Sequence, residues 1–590
     1  MENKILLVGI NSRFNHTNLA IRSLIEYAKA NCESIKKKYV NVDFLEFTIN
    51  QNVLEILSQI INKKSSFVFF SVYIWNVEIT FKIINEIKKI CSNVIIACGG
   101  PEVSYCAEKI LCEQKNVDFI MSGEGEITFA EIVENIFYDK ECYKKIKGIY
   151  FRLNDICNTN VNKTKGVSAN ASVAFTGIRD VMEDLSVLPF PYPNLENEKN
   201  KIFYYESSRG CPFNCSYCLS SIEKKVRFSN LEKVFTDIKR FFNARVPLVK
   251  FVDRTFNLIE ERYIAIFQFI IDNWNGVTIL HFEIAAHVLS DKVFDILKKI
   301  PDGSVQFEVG VQSVNAKTLI ACGRTPNFEI IEKNVKQIPK TIHMHLDLIA
   351  GLPYETLKDF AFSFDKTIAL KSEMLQLGFL KILSGTNMES FAKENTEYKW
   401  LDIPPYEVLS STHMSWNDFQ FLKKIEKLVD AYYNSRRFFK LMDYIIDNCK
   451  SSFLFFSNLV DFFTDENLIE DEHKSIFYFE HIFNFTKSKF FPPELNRKIF
   501  IELLRFDFVS FSKCSNFPDW YVHNYNKNFH HAALIKYTKM KSTRTEYAYS
   551  EYEEFEINPF TLKKEKCAFL FLYNKPDEKS CNKMNKVIQL

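Results

Sequence analysis

Alternation of short β-rich runs with amphipathic helical stretches predicts an α/β chain in three parts. Three observations carry this. Five strand-helix alternations fill residues 1–145, six more with a longer period fill residues 197–400, and helical spacing takes over in residues 401–590. A chain of 590 residues exceeds what one hydrophobic core supports, so several domains are expected.

The first part has β-rich runs at 4–10, 40–49, 67–74, 93–100 and 117–123, each bounded by polar or glycine residues. Between them lie helical patterns at 18–31, 51–62, 77–90, 104–113 and 127–137. Strict alternation of this kind gives a doubly wound parallel sheet of the Rossmann-like, flavodoxin-like type. Residues 146–196 read as a small hairpin from Gly148 to Arg152, a polar loop to Asn170, and a linker whose Pro189, Pro191 and Pro193 exclude helix interior and central strand. Strand patterns then recur at 203–210, 248–256, 278–286, 305–313, 342–351 and 374–382. Six β/α units make a partial (β/α)6 barrel of the TIM type, whose chemistry gathers at the carboxyl ends of the strands. The final part carries apolar residues at helical spacing over 416–439 and onward to about Phe508, then turns aromatic and acidic over 546–556.

Composition is globular, 47% hydrophobic and 25% charged, and 75 basic against 73 acidic residues leave a net charge of +2. That balance offers no electrostatic attraction for nucleic acid or an anionic membrane. No apolar run approaches the roughly twenty residues that span a bilayer. Fifteen cysteines without a cleavable leader read as thiols of a cytoplasmic protein, not as a secreted disulfide framework.

The densest chemical signal is Arg209-Gly-Cys-Pro-Phe-Asn-Cys-Ser-Tyr-Cys-Leu219, which follows the first barrel strand. Three thiolates at Cys211, Cys215 and Cys218 can hold three irons of a 4Fe-4S cluster and leave the fourth without a protein ligand. A structural zinc site would ask for a second CxxC or HxxxH nearby, and the sequence has none there. Successive strands add Glu283 and Asp347, carboxylates that can accept from a ligand's donors, and Gln312, whose amide can both donate and accept. Arg324 offers a planar fork to a carboxylate.

The CxxxCxxC run, with Tyr217 before its last cysteine, resembles the signature of the radical S-adenosylmethionine (SAM) enzymes. The resemblance implies that the open iron chelates the amino and carboxylate groups of SAM and that reductive cleavage yields a 5′-deoxyadenosyl radical. Glu283, the Gly-Val-Gln312-Ser run, Arg324 and Asp347-Leu-Ile-Ala-Gly-Leu-Pro353 resemble the coproporphyrinogen-dehydrogenase-like branch of that family. The usual fifth-strand form has a glycine where Asp347 stands, and the acid, Glu355, falls one place late, so Glu355 is not expected as a ligand.

An open parallel sheet ahead of such a barrel resembles a cobalamin-binding domain. The supporting residues sit at strand carboxyl ends: the loop opened by Asn11, then Gly99 and Gly100, then Gly123, Glu124, Gly125 and Glu126. Glycines there admit close approach of a nucleotide loop, and helix amides can face a phosphate. The DxHxxG motif is absent, and His16 lacks its flanking Asp and Gly, which implies cobalamin with no histidine on cobalt. The Pro404-Pro-Tyr-Glu-Val-Leu409 and Tyr432-Tyr-Asn-Ser-Arg436 runs resemble an uncharacterised helical domain found in one subgroup, with Tyr432 and Tyr433 expected in its core.

Together these resemblances imply a cobalamin-dependent radical SAM enzyme, most simply a methyltransferase of a small-molecule or biosynthetic substrate, fed by an external flavodoxin- or ferredoxin-type donor. Two alternatives stay open from sequence: a radical SAM enzyme without cobalamin, and a non-catalytic iron-sulfur sensor or electron carrier.

Overall fold

The structure is a computed structural model and describes residues 3–153, 172–198, 200–325, 327–468, 473–513, 517–538, 547–574 and 585–590. The polar loop expected up to Asn170 and the start of the acidic segment at Glu546 lie outside these residues. The chain divides into two compact units. The first comprises Met1–Gln306, Cys322–Arg324 and Leu380–Leu409, and the second Phe307–Ala321, Thr325–Phe379 and Ser410–Leu590.

The first unit opens with β1 (Asn3–Asn11), α1 (Leu19–Asn31), α2 (Glu33–Lys36), β2 (Val40–Thr48), α3 (Val53–Asn62), β3 (Phe67–Ser71) and α4 (Val77–Ile90). It continues through β4 (Ile95–Gly99), α5 (Pro101–Ser104), α6 (Ala107–Glu113), β5 (Phe119–Met121), α7 (Gly125–Asn135) and the hairpin β6 (Ile149–Arg152) with β7 (Val173–Phe175). The sheet order β2-β1-β3-β4-β5-β6-β7 is the expected flavodoxin-like order, parallel through β5 and closed on one side by the antiparallel hairpin. β1 and β3 read as continuous apolar runs because helices cover both faces. Leu6 and Val8 pack with Ile84 and Ile87 of α4, while Ile5 and Leu7 pack with Ile21 and Ile25 of α1.

The helix expected over 104–113 is two pieces. Gly100 at φ 115° turns the chain so that Pro101 starts α5 at its first position, where a missing N–H costs nothing. Gly100 is also the tightest point of the sheet edge, since a Cβ there would lie 2.4 Å from the Val72 carbonyl oxygen.

Barrel elements follow: β8 (Ile202–Tyr205), the ribbon strands β9 (Ser208–Arg209) and β10 (Arg227–Phe228), α8 (Leu231–Ala244), β11 (Leu248–Phe251), α9 (Glu260–Asn273), β12 (Ile279–Ile284) and α10 (Asp291–Leu297). In the first unit β11 lies between β8 and β12, all parallel. Next come β13 (Val305–Gln312), α11 (Ala316–Ala321), α12 (Phe328–Gln337), β14 (His343–Ala350), α13 (Leu357–Ile368) and β15 (Met374–Phe379). In the second unit β14 and β15 run parallel, and Leu346, Leu348, Leu375 and Leu377 are buried on one face. All six strands begin within one or two residues of the start of their sequence patterns. The segment that returns to the first unit carries α14 (Asn387–Glu394), β16 (Lys399–Trp400) and β17 (Val408–Ser410).

The C-terminal region is mainly helical, with α15 (Trp416–Val429), α16 (Phe439–Asn448), α17 (Ser452–Asp465), α18 (Ser475–Phe485), α19 (Arg497–Phe511) and α20 (Lys527–Thr538). It ends in an antiparallel sheet of β18 (Ser550–Phe555), β19 (Cys567–Leu572) and β20 (Lys586–Gln589). The helical spacing over 416–439 does not make one helix. A π turn at Asp430–Asn434 ends α15, and Asn434 is held by both backbone groups of Leu375, accepting from its N–H at 2.8 Å and donating to its carbonyl at 2.9 Å. Tyr432 and Tyr433 are buried, as expected of core residues. The acidic run is strand β18: Glu553 is fully buried and accepts from Arg505 at 2.5 Å. No helix among the described residues is long and apolar enough to cross a membrane.

Gly100→Ala meets backbone at a left-handed φ and is expected to destabilise the protein by about 2–4 kcal/mol, read as a lowered thermal midpoint.

Candidate active site

The cysteine loop is built backbone first. After β8, the N–H groups of Ser207 and Ser208 both donate to Asp253 Oδ1, at 2.7 and 3.0 Å, and fix where the chain leaves the strand. Asp253 is buried, which pushes its carboxyl up to about 6 against the opposing pull of these hydrogen bonds. The ribbon β9–β10 pairs Arg209 with Arg227 and Ser208 with Phe228. Gly210 then takes φ 97°, and a Cβ would stand 2.4 Å from the Lys225 carbonyl oxygen.

Cys211 donates its N–H to the Glu223 carbonyl at 3.0 Å, and Ser216 donates to the Cys322 carbonyl at 2.9 Å. Gly323, at φ 70°, packs so closely that its Cβ would lie 2.4 Å from the Asn214 carbonyl oxygen. Met388 N–H closes the loop onto the Ser216 carbonyl at 2.8 Å. The loop is thereby held from both sides by segments far away in sequence.

Two of the three thiols make long side-chain contacts within this frame. Cys211 Sγ lies 3.6 Å from Thr255 Oγ1, and Arg324 Nη1 donates to Cys215 Sγ at 3.6 Å and to the Tyr217 hydroxyl at 3.3 Å. Burial raises the Cys215 thiol, and the Arg324 guanidinium opposes that rise, while Cys211 and Cys218 lie close enough to add to it. Among the described residues no three His, Cys, Asp or Glu side chains are grouped as for a single metal ion. A cluster that takes each thiolate on a different iron does not require them to be. Arg324 thus touches both Cys215 and Tyr217, with Cys211 and Cys218 near Cys215, and three thiols are a donor set that suits a 4Fe-4S cluster. Glu283 stands half-buried on β12 of the same unit, whose end is fixed by reciprocal Asn257–Ala285 hydrogen bonds of 3.0 and 2.8 Å.

In the second unit, Gln312 has φ 69°, and its side chain folds over Gly310, where a Cβ would fall 2.2 Å from Gln312 Nε2. Its Oε1 is buried with no hydrogen-bond partner among the described residues, an acceptor left for a ligand hydroxyl. Asp347 is half-buried on β14. Glu355, set aside from sequence, is fully buried and accepts from Ser313 Oγ at 2.5 Å, directly beside Gln312. Burial raises its carboxyl to about 8, so it is protonated at neutral pH.

At the carboxyl edge of the first sheet several of the expected residues are engaged in contacts within the protein. Asn11 donates to the His16 carbonyl at 2.9 Å and accepts from Asn18, so it orders the loop after β1. His16 Nδ1 is 2.7 Å from the Tyr204 hydroxyl, a loop hydrogen bond and not a free ligand. Gly100 is required by Val72, and a Cβ at Gly99 would make only ordinary contacts. Glu124 pairs with Arg227 at 2.7 Å and with Arg209 at 3.4 Å, and Glu126 pairs with Arg209 at 2.9 Å. Glu126 and Arg227 are nearly buried, where an unpaired charge is costly, while Glu124 and Arg209 stay partly exposed. Gly123 has φ 81° with nothing among the described residues within 4 Å of where a Cβ would be, so its backbone is open to approach, while Gly125 starts α7 against Leu24. The arginine partners were missed in sequence, although Arg209 and Glu206 flanking the cysteines were the available signal.

Comparison with known proteins agrees with this arrangement. A B12 binding domain model matches residues 5–133, a radical SAM superfamily model matches residues 205–366, and a model of a protein of unknown function, DUF4080, matches residues 394–588. The chain thus carries a B12-binding domain followed by a radical SAM domain. Its C-terminal region is a DUF4080 domain, which marks the subgroup.

An uncharacterized methyltransferase of Pyrococcus horikoshii is 26% identical over 52% of this chain and 65% of its own length. The cobalamin-dependent radical SAM methyltransferase TokK of Streptomyces tokunonensis is 24% identical over 49% of this chain and 43% of its own. The chain thus spans less than two thirds of either relative. The cobalamin-dependent SAM radical enzyme OxsB, with aqua-cobalamin and SAM bound, shares the fold at TM-score 0.58 and 13% identity over 86% of this chain and 79% of its own. The methyltransferase TsrM of Kitasatospora setae, with cobalamin and a 4Fe-4S cluster, does so at 0.55 and 16% over 71% and 84%.

Gly323→Ala forces the Asn214 carbonyl away from the cysteine loop and is expected to lower iron uptake on anaerobic reconstitution by about 10-fold or more, measured by iron analysis. The stability that protonated Glu355 contributes is fully present below its ordinary value of 4.5 and is lost as pH rises through about 8. Urea unfolding across that range should therefore show a loss of a few kcal/mol that Glu355→Gln abolishes.

Proposed function

We propose that the protein is a cobalamin-dependent radical SAM methyltransferase acting on a small-molecule or biosynthetic substrate. The observation that carries this reading is the cysteine loop with Arg324 donating to both Cys215 Sγ and the Tyr217 hydroxyl. A B12-binding sheet in the same unit supports the second cofactor. When bound, the cluster, SAM and cobalamin supply an electron, reductive cleavage and a transferable methyl group.

The chain's own part is to bind and orient. Cys211, Cys215 and Cys218 would hold three irons and leave one open to SAM. Arg324 would turn its fork to the SAM carboxylate, and Glu283 would accept from the ammonium. In the second unit, Gln312 Oε1, which has no hydrogen-bond partner among the described residues, is suited to a ribose hydroxyl, and the Asp347 carboxylate can accept from another. Gly123 offers open backbone at the sheet's carboxyl edge, where α/β sheets of this order bind their ligands. The electron comes from an external donor of the flavodoxin or ferredoxin type.

The expected result of anaerobic reconstitution is a 4Fe-4S spectrum and formation of 5′-deoxyadenosine from SAM. Cys215→Ala should lower that formation by at least about 100-fold, the upper end of what losing an outer-shell partner costs a metal site. A bound corrinoid after refolding with hydroxocobalamin supports the methyltransferase reading. Its absence, with SAM cleavage intact, favours a radical SAM enzyme without cobalamin.

A further inference from the structure

The first unit contains a buried charge cluster that belongs to neither the thiols nor the sheet edge alone. Arg209 lies two residues before Cys211, and its side chain is 17% exposed. Its guanidinium meets three carboxylates: Glu206 at 2.6 Å, Glu126 at 2.9 Å and Glu124 at 3.4 Å. Glu126 stands 83 residues upstream in the first turn of α7, and Glu124 is the residue that caps that helix, next to the open backbone of Gly123.

Arg227, opposite Arg209 in the β9–β10 ribbon and 2% exposed, pairs with Glu124 at 2.7 Å and donates to the Met182 carbonyl at 2.8 Å. Its Nε and Nη2 are buried without a hydrogen-bond partner among the described residues. Two guanidinium groups and three carboxylates in a water-poor setting cannot shift independently, because each displaced charge would be left desolvated.

On one side of this cluster Gly123 and the start of α7 lie at the sheet edge where a cobalamin is expected. On the other, Arg209 joins through Gly210, locked against Lys225, to the first cysteine. A ligand that moves the start of α7 at Gly123 must therefore drag the Glu126–Arg209 pair or break it, and either event reaches the backbone of Cys211.

We propose that Arg209 is a positioning residue that couples the two cofactor sites, so that occupancy of the cluster loop changes the affinity of the B12-binding domain for cobalamin, and the reverse. The inference rests on the cofactor assignment made above. Coupling through a shared element is reciprocal, so the same factor must appear in both directions.

The test uses the full chain, titrated anaerobically with hydroxocobalamin and followed by absorbance, once with the 4Fe-4S cluster reconstituted and once without iron. In the wild-type chain the two dissociation constants should differ by at least about fivefold, the lower end of ordinary coupling. The EPR signal of the reduced cluster should shift when cobalamin is added. In Arg209→Gln the two constants should coincide and the EPR signal should ignore cobalamin, while Arg209→Lys, which keeps the charge, should restore part of both effects. Glu126→Gln, which leaves Arg209 two carboxylates, should weaken the coupling in a chain that keeps its fold. Lys63→Ala, which breaks an exposed pair with Asp43 on the same sheet, should leave it unchanged. Equal constants in the wild-type chain, or undiminished coupling in both Arg209→Gln and Glu126→Gln, would overturn the proposal. A wild-type chain that takes up the cluster but no cobalamin overturns the cobalamin half of the functional reading and this inference with it.

Discussion

Where the three thiols can go depends on two places at which backbone meets backbone. At Gly210 and Gly323 the chain adopts left-handed φ and approaches the carbonyls of Lys225 and Asn214 more closely than any side chain would permit. Between these contacts the loop from Cys211 to Cys218 has little freedom, since Cys211 N–H, Ser216 N–H and Ser216 carbonyl are each spoken for. An iron-sulfur ligand set needs such a frame because thiolates on a loose loop would form disulfides or bind ions singly. Arg324, one residue after Gly323, is carried into contact with Cys215 and Tyr217 by the same packing. The cation that opposes the rise of the Cys215 thiol is thus placed by a glycine.

Local pattern made most of the secondary structure legible. The helix Val77–Ile90 and the strand starts at Val40, Phe67, Leu248, Val305 and Met374 coincide with their apolar periods, because each element buries a face whose period is its own. The elements that departed did so for tertiary reasons. The helix beginning at Trp416 stops at the π turn because Leu375 captures Asn434, a residue 59 positions away. The segment read only as aromatic and acidic contains strand β18, whose Glu553 pairs with Arg505 on α19. No periodicity within a short window carries that information.

The candidate site divides along the same line. The thiols were legible because an iron-sulfur cluster asks for cysteines at particular spacings, and Tyr217 and Arg324 because their runs resemble a family pattern. Glu124 and Glu126 were legible as a pair of acids at a strand end, but their partners were not, because the spacing to Arg209 is set by folding and not by chemistry on one loop. Glu355 shows the reverse case. Its offset from the family pattern argued against a ligand, and the structure gives it a different task, fixing Ser313 beside Gln312.

The chain leaves the first unit at Gln306 and returns to it twice, for Cys322–Arg324 and again for Leu380–Leu409. During synthesis from the amino terminus, therefore, the cysteine loop exists long before its supports do. Gly323, Arg324 and Met388 emerge from the ribosome more than 100 residues after Cys211, so the nascent loop waits with its thiols unframed while the intervening strands are made. In a chain of this layout the complete frame for a cluster exists only once residue 388 has been made, and a ribosome stalled before residue 324 would hold three cysteines without the arginine that faces them.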